Sequence, residues 1–167
     1  ECVIARGNHR ISYPSRIQLV AAMNPCRCGM AGTPGYKCLR GPRCQADYQA
    51  RLSGPLLDRI DIRIDVPAVS TADLVRPGKA ETSAAVAGRV ARARDIQRER
   101  YAALGLSSGM TNAHCPTAVI EQAAEPDAAG LALLADASEK LGFSARAYHR
   151  VLRLARTLAD LDGQPRV

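Results

Sequence analysis

Leu19-Val-Ala-Ala-Met-Asn-Pro-Cys-Arg-Cys28 is the stretch on which the fold turns. The apolar run from Ile17 to Met23 has the length and composition of a strand buried on both faces. It ends at Asn24-Pro25, and Pro25 has no N–H to give to a sheet ladder. Asn24 is thereby placed at the carboxyl end of a buried strand, where open α/β sheets bind ligands. Cys26 and Cys28 follow at once. A rigid polar amide beside two thiols reads as a site, and Asn-Pro reads equally as a loop opener.

Outward from this stretch, the short β-prone runs Cys2–Arg6 and Arg10–Tyr13 flank Gly7-Asn8-His9, a turn-forming triplet. The hairpin they predict carries Arg6, His9 and Arg10 near its tip, as a solvated turn or as a loop aimed at nucleic-acid phosphates. From Pro25 to Cys44 there is no periodic apolar face, so this segment cannot build a core of its own. Cys26, Cys28, Cys38 and Cys44 supply another means of ordering it, because four thiolates satisfy tetrahedral Zn²⁺. The spacing, C-x-C then C-x5-C, is looser than that of paired C-x2-C knuckles. A reduced loop, or disulfides formed on oxidation, are the alternatives. Cys2 and Cys115 have no spacing partner and read as inert thiols.

The bulk properties fit a folded protein with polyanionic partners. The 167 residues are 47% hydrophobic and 23% charged, which excludes a disordered chain. A net charge of +7 suits nucleic acid or nucleotide phosphates. No apolar run reaches the roughly 20 residues that span a membrane, and no basic-then-apolar leader is present. Six cysteines without such a leader point to a reducing, cytoplasmic setting. A chain that opens on Glu1 directly into strand-like sequence reads as a piece of a longer polypeptide.

Downstream, Gln45–Leu52 predicts a short helix. Ile60-Asp-Ile-Arg-Ile-Asp-Val66 alternates strictly and predicts a strand with one wet face. Residues 68–81, with Pro77-Gly78, read as a linker. Beyond it the pattern is helical: Thr82 or Ser83 caps a helix to about Leu104, a short helix spans Thr117–Ala124, and another runs from Asp127 to Gly142. Ser144 caps the last helix, whose predicted apolar face is Val151, Leu152, Leu154, Ala155, Leu158 and Leu161. The basic stretch Arg89–Arg100 reads as an exposed helix face. Arg146 sits in a first turn, where a cation opposes the helix dipole, so a role other than stability is expected of it.

Four segments in order carry a family likeness: Tyr13-Pro-Ser-Arg-Ile-Gln-Leu-Val-Ala-Ala-Met-Asn-Pro-Cys-Arg-Cys-Gly29, Ser53-Gly-Pro-Leu-Leu-Asp-Arg-Ile-Asp61, Leu141-Gly-Phe-Ser-Ala-Arg-Ala-Tyr148 and Ala155-Arg-Thr-Leu-Ala-Asp160. Together they resemble the magnesium-chelatase-like AAA+ ATPases, specifically the ComM (YifB) family of competence-associated DNA helicases. The resemblance implies an α/β fold: the C-terminal half of an AAA+ P-loop core over 1–67, with its cysteine loop at 25–45, then the linker and a helical lid over 82–167. It implies that Asn24 is sensor 1, Arg59 the arginine finger and Arg146 sensor 2, acting on ATP with Mg²⁺. Arg59 read alone is a salt-bridge partner of Asp58 or Asp61. The hairpin is similar to one that faces the central DNA pore in this clade, and the resemblance implies a hexameric ring, so a homo-oligomer and DNA are the implied partners.

The sequence departs from the family in having no G-x4-G-K-[ST] loop and no apolar strand ending in Asp-Glu. The 167 residues alone are therefore expected to be inactive as an ATPase, and the strand at 60–66 is expected to lack its neighbour. A basic zinc-bearing nucleic-acid-binding module without motor activity is the rival reading, and a chelatase subunit a third.

Overall fold

The computed structural model describes every residue except Arg16, Pro34, Ser70 and residues 76–79. Within the predicted linker at 68–81, residues 71–75 form a short helix, while Pro77-Gly78 lies outside the described residues. The chain divides into two compact units, Glu1–Ser53 and Gly54–Val167.

The first unit opens with an antiparallel hairpin, β1 (Cys2–Arg6) and β2 (His9–Tyr13), pairing Ile4 with Ile11 and Arg6 with His9. The connection is two residues, one fewer than predicted, because His9 joins the ladder. Gly7 takes φ 59° while Asn8, like every described non-glycine residue, keeps a negative φ, the signature of a II′ turn. Both strands are exposed on both faces. The cysteine segment follows as a chain of turns and leads into helix α1 (Cys44–Gln49), which begins one residue before the predicted Gln45 and ends three residues before the predicted Leu52.

The second unit is helical. A short α2 (Gly54–Leu57) and α3 (Thr71–Val75) precede the long α4 (Ser83–Ala103). Thr82 is its N-cap and accepts from the Ala85 amide. A 3₁₀ turn at Asn112–His114 leads to α5 (Thr117–Ala123), α6 (Ala128–Leu141) and α7 (Ala145–Leu161). Asp127 and Ser144 cap α6 and α7 through their side chains, and Gly142 ends α6 at φ 61°. These caps lie where the sequence put them, because a cap is decided by a few contiguous residues.

The core of this unit is Tyr101, Cys115, Ile120, Ala124, Leu134 and Leu152, with Phe143, Tyr148 and Met110 packed against it. The face α7 buries is Leu152, Arg156, Ala159 and Asp160, so the predicted apolar face needs correction. Leu152 is buried, whereas Leu158 is 53% exposed. The reason is a polar network on the buried side: Asp160 accepts from Arg156 at 3.0 Å, from Asn112 at 2.8 Å and from both terminal nitrogens of Arg100. Arg100 accordingly leaves the exposed basic face predicted for Arg89–Arg100.

Two predicted strands do not form. Residues 17–24 and 60–66 have no regular secondary structure, with a bend at Asp61, and Val20 and Val66 are each 86% exposed. A strand is stabilised by a ladder partner and a covered face, and among the described residues neither run has one. The α/β expectation therefore holds as a mixed chain, one two-stranded sheet and several helices. Among the described residues no helix is long and apolar enough to cross a membrane.

Candidate functional site

The cysteine segment is built from two turns of the same form. In Cys26-Arg-Cys-Gly29 and Cys38-Leu-Arg-Gly41 the first cysteine's carbonyl accepts from the glycine amide, at 3.0 and 3.1 Å. Gly29 and Gly41 take φ 76° and 87°, a region that side chains with a Cβ avoid. The two turns bring Cys26, Cys28 and Cys38 together with Cys44 at the start of α1. All four Sγ atoms lie within 4.8 Å of one another. Cys26–Cys28 and Cys28–Cys38 approach to 3.0 and 3.2 Å, far longer than the roughly 2.05 Å of a disulfide, and all six cysteines are free thiols.

This set fits a tetrahedral dication. Ligands at about 2.3 Å from Zn²⁺ lie about 3.8 Å apart, inside the range of separations the thiols span. Cys26 and Cys44 are buried and the other two half-buried, as a closed structural centre requires. The thiols do not ionise alike without a cation. A hydrogen bond from Cys28 draws Cys26 down to about 6. At Cys38 the Arg40 amide pulls downward, but the Cys28 thiol, burial and Cys44 outweigh it and push the group up to about 12. A bound dication removes that conflict by deprotonating its ligands outright. The repeated Cys-x-x-Gly turn was visible in the sequence, and it is the signal that the looser C-x5-C spacing hid.

The implied nucleotide-handling residues fall in both units. Asn24 is exposed in the first unit, at the end of the unpaired 17–24 run rather than at the tip of a formed strand. Arg59 and Arg146 are exposed in the second. Arg59 follows α2 in a turn closed by the Asp58 and Arg59 amides on Gly54 and Leu56, at 2.8 and 2.9 Å. Its guanidinium donates to the Pro55 carbonyl at 2.5 Å. It does not take the salt bridge that its neighbours offered. Asp58 and Asp61 face Arg150 of α7 instead, at 3.9 and 3.5 Å, leaving Arg59 without an ion pair among the described residues. Arg150 escaped the sequence reading, because nothing local links it to a turn so far upstream. Arg146 is the second residue of α7, one turn before Arg150, and Ser144 Oγ caps the same turn by accepting from Ala147 at 3.1 Å. The α2 turn and the opening of α7 are thus joined through Arg150.

The hairpin places Arg6 and His9 directly opposite each other, with Arg10 paired to Ala5. All three are exposed.

Known proteins share this arrangement of sequence. The family description "Magnesium chelatase, subunit ChlI" matches residues 1–74, and "Magnesium chelatase, subunit ChlI C-terminal" matches residues 80–167. The competence protein ComM of Haemophilus influenzae is 40% identical over 169 aligned residues, which take in 100% of this chain and 31% of ComM. The YifB protein of Escherichia coli K12 is 37% identical over 95% of the chain and 30% of its own length. Mb2921c of Mycobacterium bovis is 34% identical over 98% of the chain and 31% of its own length. The chain spans 30–31% of the length of these relatives. With one family description covering each side of the predicted linker and ComM aligned from end to end, the chain belongs to the magnesium-chelatase-like AAA+ family, in its ComM/YifB branch.

Proposed function

We propose that this chain supplies the sensing and charge-stabilising side of an ATP-driven DNA motor. The observation that carries the reading is Arg59: an exposed guanidinium whose two acidic neighbours face a different arginine. A cation left uncompensated in a fixed turn is suited to a developing phosphoryl charge on a neighbouring copy. Arg146, at a helix start where it gains nothing from the dipole, is suited to phosphates of the nucleotide. Asn24 is the amide that would orient the attacking water. These residues fit ATP with Mg²⁺, which supplies the phosphoryl group and the energy of its transfer. Walker A and B segments, which this sequence does not contain, would hold most of the nucleotide.

In the motor reading the whole protein is a homo-oligomer, a hexameric ring, that couples hydrolysis to helicase and branch-migration activity on DNA. The basic hairpin, with Arg6, His9 and Arg10, faces the strand. The four cysteines hold a structural Zn²⁺, and six free thiols suit the cytoplasm. The 167 residues alone do not turn over ATP.

The test is Arg59→Ala in a polypeptide of the relatives' full length. ATPase activity should fall by about 10³-fold or more, the scale of an arginine finger, with oligomerisation retained. Unchanged hydrolysis would favour a second reading, a zinc-bearing nucleic-acid-binding module with no motor role. That reading is favoured by one observation of its own, the four-thiol cluster inside the more basic unit.

A further inference from the structure

The first unit concentrates the charge of the chain. Residues 1–53 hold eight Lys and Arg against Glu1 and Asp47, so they carry +6 of the net +7. Four of those cations, Arg27, Lys37, Arg40 and Arg43, lie within the cysteine segment, and Arg51 follows α1. They are exposed and are not scattered evenly. Arg27 comes from the first Cys-x-x-Gly turn, Arg40 from the second and Arg51 from beyond α1. Together with Cys44 and Asp47 these three line one open cleft of about 470 Å³.

We propose that the four-cysteine centre, closed on Zn²⁺, builds a phosphodiester-binding cleft from Arg27, Arg40 and Arg51, and that the cleft takes a nucleic-acid strand by its backbone. This rests on the zinc and nucleic-acid parts of the function proposed above, and assigns them to residues distinct from the hairpin. Three guanidiniums give forked donors that match phosphate oxygens. The lining offers no aromatic ring on which a base could stack and no amide to read a base edge, which suits a contact made through the phosphates. Asp47 and the thiolates oppose the arginines. A zinc tetrathiolate carries a net charge of −2, which still leaves the unit at +4. The metal's part is geometric. Each contributing turn starts at a ligand cysteine, and α1 begins at another, so the centre fixes the three arginines relative to one another.

The experiment uses the 167-residue chain in reducing buffer, with zinc measured per chain. Fluorescence anisotropy follows a labelled oligonucleotide of about 20 nucleotides, longer than one module's usual site, across a range of salt. The wild-type chain should carry zinc and bind with steep salt dependence. Arg27→Gln/Arg40→Gln/Arg51→Gln should keep its zinc, lose about tenfold in affinity, and lower the slope of log K on log salt by about 2, three single-strand phosphate contacts' worth. Chelation of the zinc, or Cys38→Ser/Cys44→Ser, should lower the slope to the same value. Arg6→Gln/Arg10→Gln should leave a further drop when the three cleft changes are added. The same oligonucleotide as a duplex and inorganic phosphate as a competitor identify the source of the phosphate.

Binding by the wild type that the triple variant retains in full would overturn the cleft and leave the nucleic-acid reading standing. So would loss of zinc from the triple variant, which would make the arginines counter-charges of the thiolates, or a full salt slope after zinc removal. Complete displacement of the strand by millimolar phosphate would make the ligand a free anion and overturn the strand assignment. No binding of any oligonucleotide by the zinc-loaded wild type would overturn the nucleic-acid reading itself, and the cleft with it.

Discussion

Asp160 has no exposed side-chain surface, yet it is charged, and three groups hold it so. Burial alone would raise its pKa; the hydrogen bonds from Arg100 and Asn112 and the fields of Arg100 and Arg156 outweigh that and hold it below the usual carboxylate range. Asn112 is committed in turn, accepting from Tyr101 at 2.6 Å and donating to Thr157 at 3.0 Å. Arg156 spends its remaining donors on the Pro165 and Gln164 carbonyls, at 2.9 and 2.5 Å. A network satisfied on every member tolerates the loss of none, because the partners left behind stay buried and charged. Asp160→Asn should therefore cost about 3–5 kcal/mol of unfolding free energy, read by urea titration of the helical signal. A loss under about 1 kcal/mol would mean the network is not closed in solution. The acid response follows from the sign of the shift. A depressed folded pKa means that Asp160 stabilises the fold above its unfolded value near 3.9, and that the contribution is lost as pH falls through the folded value. The Asn variant should lack that share of the acid transition.

At the scale of elements, Arg150 links the α2 turn to α7 with little energy of its own. Its contacts to Asp58 and Asp61 are long, 3.9 and 3.5 Å, and the carboxylates are 41% and 70% exposed. Its Nε and Nη1 are buried without a hydrogen-bond partner, so the guanidinium also bears a cost. Arg150→Ala should thus change global stability by less than about 1 kcal/mol. Hydrogen exchange at the amides of Asp58, Arg59 and Ile60, which close the turn, should nonetheless quicken, and Arg150→Lys should restore part of the protection. Equal exchange in wild type and Ala variant would separate the two elements. Such a contact shows why the sequence was legible in parts. Thr82, Asp127 and Ser144 announce helices because a cap and its helix are neighbours in the chain. The four cysteines announce a centre because thiols are few and chemically distinct. Arg150 with Asp58, or Arg100 with Asp160, depends on residues far apart in sequence, and neither partner looks unusual alone. The polar side of α7 was misread for the same reason: Arg156 and Asp160 break an apolar stripe unless their distant partners are known. Asn24 shows the reverse case, a position read from a strand that no second strand completes among the described residues.

For the molecule as a whole, the two unpaired runs are the features that bear on its behaviour in solution. Ile17, Leu19 and Val20 on the first, and Ile62, Ile64 and Val66 on the second, are all more than half exposed. Along 60–66 Ile62, Ile64 and Val66 alternate with Asp61, Arg63 and Asp65, a pattern that pairing as a strand would sort into one apolar and one charged face. Extended backbone with unpaired amides beside an apolar face is the usual template for pairing between chains. Fully covering one such aliphatic side chain is worth about 1.5–3 kcal/mol, enough for several together to offset the entropy of association. The 167-residue chain should therefore self-associate as its concentration rises, with a sedimentation coefficient that climbs across a dilution series. Ile62→Lys/Ile64→Lys places two cations on the apolar face, where a paired copy would have to desolvate them, and should shift the onset to about tenfold higher concentration or more. The helical unit should be unaffected, since neither residue belongs to its core. A chain that stays monomeric at high concentration, with amides at 60–66 slow to exchange, would show that the run finds its partner within the same molecule.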